Sequence, residues 1–142
     1  MPVRNELKKM ATTRLAESKA LINSGLFDGA CYLAGYVVEL ALKARICKLL
    51  DIDLYPDKGK ISSAYKIHDL ADLIILAGLE NKFKTAKHNN VNLDINWSVI
   101  ASWSEQYRYS SIGTNPKERA EEIIEALVDP KDGVFIWIKK YW

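Results

Sequence analysis

The stretch from Gly29 to Leu50, GACYLAGYVVELALKARICKLL, constrains the fold more than any other part of the chain. Gly29 to Val38 carry no charge. Tyr32, Tyr36, Glu39 and Lys43 step by four, three and four, so an α-helix sets them along one side. The remaining sides carry Leu33, Ala34, Val37, Val38, Ala41, Leu42, Ala44, Ile46 and Leu49. A helix apolar around most of its circumference is the buried centre of a bundle. At about 1.5 Å per residue this one runs roughly 33 Å, enough to pass through a small domain.

A chain of 142 residues is expected to fold as a single domain, 1–142, around such a rod. Hydrophobic residues at 49% and charged residues at 27% argue against disorder. The net charge of +2 excludes a strong overall pull on nucleic acid and leaves room only for a local basic patch. Glu39, Lys43 and Arg45 interrupt the one long apolar run, so no membrane span is expected. MPVRNELKKM is charged and lacks the apolar core of a secretory leader, which points to the cytoplasm. Cys31 and Cys47 on one helix would stand about 24 Å apart, beyond the roughly 7 Å a disulfide spans, and read as reduced core thiols. Without CxxC or HxxxH spacing, two cysteines and two histidines imply no zinc site.

Taken in order, the chain predicts a first helix from about Pro2 to Asn23, with Leu7, Met10, Ala11, Leu15, Ser18, Leu21 and Ile22 on its inner stripe. Gly25 ends it in a left-handed position, Asp28 caps the central helix, and the pair forms an antiparallel hairpin. Asp51 to Lys66 reads as an irregular connection with a turn at Pro56–Gly59. A short helix begins near His68 and stops at Gly78. The polar stretch from Asn81 to Asn92 reads as a helical piece anchored by Phe83, followed by a mobile loop. Asp94 is expected to cap a helix carrying Trp97, Ile100, Ala101, Ser104 and Tyr107 on one face. Asn115-Pro116, with Glu118 beyond, opens the next helix in capping-box form, and Asp129-Pro130 opens the last. The expected architecture is an all-α, up-and-down antiparallel bundle of about five or six helices.

Three segments resemble a known family. GLFDGACYLAGYVVELALKARICKLL (Gly25 to Leu50) is similar to the second-helix signature of HEPN domains. KIHDLADLIILAGL (Lys66 to Leu79) resembles the "HDL…L…AG" segment that follows, and QYRYSS (Gln106 to Ser111) the aromatic-Arg-aromatic close of the fourth helix. The resemblance implies a HEPN-like bundle, commonly a homodimer, often paired with a small nucleotidyltransferase in a toxin–antitoxin-like system. Many such domains are metal-independent endoribonucleases marked by an arginine followed, four to six residues on, by a histidine. This chain departs from that pattern. Its histidines are His68 and His88, and after Arg108 the sequence reads YSSIGTN. Ser110, Ser111 and Thr114 do not supply the neutral-pH proton acceptor that imidazole does.

Arg108 is the leading candidate, because its planar donor fork fits phosphate and Tyr109 beside it can stack on a base. Tyr36, Glu39 and Lys43 join it on the polar seam of the central helix, with His68 as a further candidate for holding a nucleotide or an RNA phosphate. Glu39 and Lys43 also have the order of an ordinary exposed i,i+4 pair, and Arg108 is a possible partner of Glu39. The expected function is a dimeric, cofactor-free module that lacks the ribonuclease histidine and pairs with a nucleotidyltransferase. Alternatives are an endoribonuclease joining Arg108 to a serine or to His68, and a purely structural dimerisation protein. His68-Asp69 lacks the further ligands of a metal phosphohydrolase and suits a helix cap. Lys82, Lys84, Lys87 and His88 suit either a solvated surface or RNA backbone contact. The tryptophans and tyrosines exceed what one small core readily hides, which suggests a dimer.

Overall fold

The computed structural model describes residues 2–142. Seven α-helices follow one another in the described chain: α1 (Arg4–Asn23), α2 (Phe27–Leu49), α3 (Leu70–Leu76), α4 (Glu80–Asn89), α5 (Val91–Ile100), α6 (Lys117–Val128) and α7 (Val134–Lys139). Two 3₁₀ helices, Ser62–Ala64 and Glu105–Tyr109, complete the elements, and among the described residues no strand forms. The only β-like pairing described is an isolated bridge between Val3 and Leu54. The all-α expectation holds, with more helices than expected because the second half is cut into short pieces.

α2 is the axis of the bundle and packs against α1, α3, α6, α7 and the second 3₁₀ helix. Ala34, Val37, Val38, Ala41, Leu42, Ala44 and Ile46 lie fully buried along it. The α1–α2 hairpin is closed by a paired backbone motif. Leu26 N donates to Leu21 O at 2.8 Å and Gly25 N to Ile22 O at 3.0 Å, with Gly25 at φ +75°. The buried Ser18 hydroxyl then donates to Ala30 O at 2.7 Å, tying the helices midway. Because this turn is so tight, α2 begins at Phe27 with Leu26 at its cap position. Asp28 is therefore inside the first turn and is not the cap. Its carboxylate instead accepts from Gly113 N, Asn115 N and Asn115 Nδ2 at 2.7, 2.9 and 3.1 Å.

Several boundaries move for similar reasons. Asn115 turns to Asp28, so Pro116 becomes the cap residue of α6, and Glu118 closes no capping box. The helical piece expected within Asn81 to Asn92 is present, but no mobile loop follows it, because α5 begins at Val91. α4 runs unbroken to Asn89, with Phe83 buried against Trp97 and Trp137 at 5.0 and 4.8 Å. Asn90, rather than Asp94, caps α5, accepting from Asn92 N and Leu93 N while its amide donates to Asp132 at 2.7 Å. Asp129 folds the turn before α7, accepting from Lys131 N and Asp132 N, and α7 starts only at Val134. FIWI is helical, as its spacing suggested.

The aromatic residues are largely consumed inside the chain. Trp103 and Trp137 are buried, Trp97 and Tyr141 pack on the core, and Trp142 closes on Phe135 at 5.5 Å. An aromatic surplus therefore gives no argument for a dimer. Exposed apolar surface is mainly aliphatic: Leu26 and Ile112 near one end of α2, Leu49, Leu50 and Leu54 after the other.

Candidate functional site

The expectation that Glu39 and Lys43 could form a solvated pair fails. The side chains are 3% and 6% exposed, and Lys43 Nζ donates to Glu39 Oε1 at 2.7 Å. An ion pair taken out of water costs several kcal/mol per charge unless its remaining valences are met. His68 meets Glu39 from the segment just before α3, its Nδ1 lying 3.0 and 3.1 Å from the two carboxylate oxygens. Asp69 makes this possible by capping α3, accepting from Asp72 N at 2.9 Å, so that His68 falls just ahead of the first turn. Lys43 Nζ also stands over the Tyr55 ring, 5.4 Å from its centroid. Tyr55 is fully buried and donates its hydroxyl to Tyr65 O at 2.8 Å, and burial pushes its phenol far up.

One and two turns before Glu39 the seam becomes aromatic. The Tyr32 and Tyr36 hydroxyls share a hydrogen bond of 3.2 Å, and the Tyr36 ring meets Trp103 edge-on at 4.9 Å. Trp103 lies directly on α2 and donates Nε1–H to Tyr32 O at 3.0 Å. Gly35 permits this contact, because a Cβ there would stand inside the indole. Burial raises the Tyr36 pKa most, and the Tyr32 hydrogen bond and the Glu39 charge add to it, while Arg108 opposes them. Glu39 and Arg108 thus bear on Tyr36 from the same neighbourhood.

Arg108 and Tyr109 do not close a helix continuous with Trp97. α5 stops at Ile100, and Ser104 caps a separate 3₁₀ helix, accepting from Gln106 N at 3.1 Å. The Arg108 guanidinium lies over the Tyr109 ring at 4.9 Å, and Tyr109, then Tyr32, raise its pKa. Both residues are exposed, Tyr109 at 73%. Arg108 is not the partner of Glu39, whose oxygens are occupied by Lys43 and His68.

Between the start of α3 and the approach to the 3₁₀ helix lies a groove of about 340 Å³ bordered by Lys66, His68, Asp69, Asp72, Trp103 and Glu105. Glu105 is held below the usual carboxylate range by its own backbone N–H and by Gln106, with His68 acting in the same direction. Six predicted site residues thus divide into two sets. Glu39, Lys43 and His68 form one connected network, Tyr36 links it to Trp103, and Arg108 with Tyr109 stands at the exposed rim. Trp103, Tyr55 and Glu105 were not predicted as site residues. A glycine in mid-helix, Gly35, was the one sequence signal that a bulky side chain lies against α2. The basic run is partly structural, since Lys82 lies over Tyr141 and Lys87 over Phe83 and Trp97. Among the described residues no three His, Cys, Asp or Glu side chains converge as metal ligands. No helix there is long and apolar enough to cross a membrane.

An all-α bundle of this kind is the fold class of a HEPN domain. The chain belongs to that family: the HEPN domain model matches residues 5–128, from the start of α1 to the end of α6. Comparison with curated proteins and with solved structures gives no match.

Proposed function

We propose that the protein is a HEPN-type module that binds a nucleotide or RNA phosphate at the polar seam of α2, acts as a homodimer, and pairs with a nucleotidyltransferase in a toxin–antitoxin-like system. The observation that carries the reading is the grouping of Arg108, Tyr109 and Tyr32 at one end of the seam with His68, Glu39 and Lys43 along it. Arg108 is an exposed planar cation set on an aromatic ring, which suits a phosphate with a base stacked beside it. Lys43 is too buried to meet a ligand and supports the site through Glu39. The partner and the dimer rest on family membership, with exposed Tyr109 beside Arg108 and exposed Ile112 four residues after it as apolar surface for a second copy.

Calorimetry with AMP, GMP, UMP and a short RNA tests the reading. Binding by the wild type that weakens at least about tenfold in Arg108→Ala is expected, from loss of a charge-assisted pair of roughly 1.5–3 kcal/mol. Absence of binding by both proteins rejects it. Co-purification of a nucleotidyltransferase encoded beside this chain tests the partner.

A further inference from the structure

We propose that the groove between α5 and α6 is a docking site for a basic amphipathic helix of a partner protein. This groove shares no lining residue with the one beside His68, so the inference goes beyond the seam and its ligand. Its first support is α5 itself. Six of the ten residues in VNLDINWSVI are apolar, and only Leu93 and Ile100 are buried. Helical spacing puts Val91, Ile95 and Val99 in one row, four residues apart, and turns the first two away from Leu93 and Ile100. Val91 is 67% and Ile95 56% exposed, and Val99 is half-buried. The row runs about 12 Å along the helix. A helix with apolar groups on nearly every side belongs inside a core, and this one has a core on only one side.

The second support is charge. Ile95, Val99 and Ala126 line a space of about 250 Å³ whose rim carries Glu122, Glu125, Asp129 and Asp132. Glu122, Glu125 and Asp129 step by three and four and so follow one side of α6. Among the described residues one cation pairs with any of the four, Arg119 with Glu122 at 3.7 Å. Asp129 and Asp132 accept from neutral donors, the backbone N–H groups of Lys131 and Asp132 and the side-chain amides of Asn90 and Asn92. Their negative charge stays uncancelled. The two walls are fixed against each other at both ends. Arg119 Nη2 donates to Val99 O at 3.2 Å where α6 begins, and Asn90 Nδ2 to Asp132 Oδ1 at 2.7 Å beyond its end, so α5 and α6 run antiparallel.

An occupant must set apolar side chains on the α5 row and cations on the α6 row at the same time. A helix does this with apolar residues at i, i+3, i+4 and i+7 and Lys or Arg beside them, and it satisfies its own backbone on a surface that offers no strand edge. Carboxylates repel phosphate, which argues against nucleic acid here. A second copy is a poor fit. The cations of its α1 and α4 stand on helices whose apolar faces, with Leu7, Ala11 and Phe83, already lie in the core.

The test uses the full chain and a fluorescein-labelled helical peptide of about 18 residues, built of Leu and Lys with one apolar face. Fluorescence anisotropy should show binding that weakens as salt rises. A scrambled peptide of the same composition, which has no apolar face, should bind at least about tenfold more weakly. Glu122→Gln with Glu125→Gln, and separately Ile95→Ser, should each weaken binding of the amphipathic peptide at least about tenfold. All three side chains are exposed, so the fold does not depend on them. No binding, equal binding of the two peptides, or binding indifferent to these variants overturns the proposal. So does sedimentation in which Ile95→Ser dissolves a homo-oligomer of the wild type, since the face then belongs to a second copy.

Discussion

Removing the Glu39 side chain leaves the Lys43 ammonium buried without its anion. Glu39→Ala is therefore expected to lose about 3–5 kcal/mol of stability, read from denaturant midpoints. The double replacement Glu39→Leu with Lys43→Met removes both charges and should recover most of that loss, unlike two independent sites whose effects add. Recovery would also show that the pair is kept for the site rather than for the fold. Asp28 supplies a pH test. Its pKa lies below the ordinary 3.8 because Gly113 N, then Asn115, donate to the carboxylate. A depressed folded-state value means the contribution is present above the unfolded pKa and fades as pH falls through the folded one. The Tm difference between wild type and Asp28→Asn should thus be largest near neutrality and shrink below about pH 4. These roles were half legible beforehand. Glu39, Lys43 and Tyr36 could be placed on one side of a helix by counting, but burial of the pair depends on α3 and Tyr55 arriving from elsewhere.

At the scale of elements, two glycines with different duties seat the neighbours of α2: Gly25 in the turn from α1 and Gly35 within α2. Gly25 has open space around its missing Cβ, so Gly25→Ala tests backbone strain alone and should cost about 1–2 kcal/mol. Gly35→Ala tests packing. Its methyl group would displace the Trp103 indole and break the bond to Tyr32 O, so a loss of about 3 kcal/mol and a changed tryptophan emission are expected. The paired segments of α1 and α2 were readable because hydrophobic period, glycine and turn agree with one another. The α4–α5 region was not, because a run of Lys and Asn looks solvated when only Phe83 points inward. Lys82 and Lys87 lie along aromatic rings there, so their stems cover apolar surface that periodicity assigns to no partner.

For the molecule as a whole, both thiols sit in the core of α2, where burial pushes Cys31 up to about 11 and Cys47 upward as well. Alkylation of either should follow global unfolding, with rates that track denaturant stability; fast labelling in native buffer would contradict the burial of α2. The helical class, the central rod, the α1–α2 hairpin and the absence of an Arg-then-His pair follow from residue order, since each depends on spacing along a single segment. What Asp28 and Asn115 cap, where α5 stops and which groups surround Glu39 were decided in three dimensions. Each depends on which distant backbone N–H or side chain reaches a polar atom first. A carboxylate cannot be read as cap, clamp or holder of an imidazole until its neighbours from the other helices are in place.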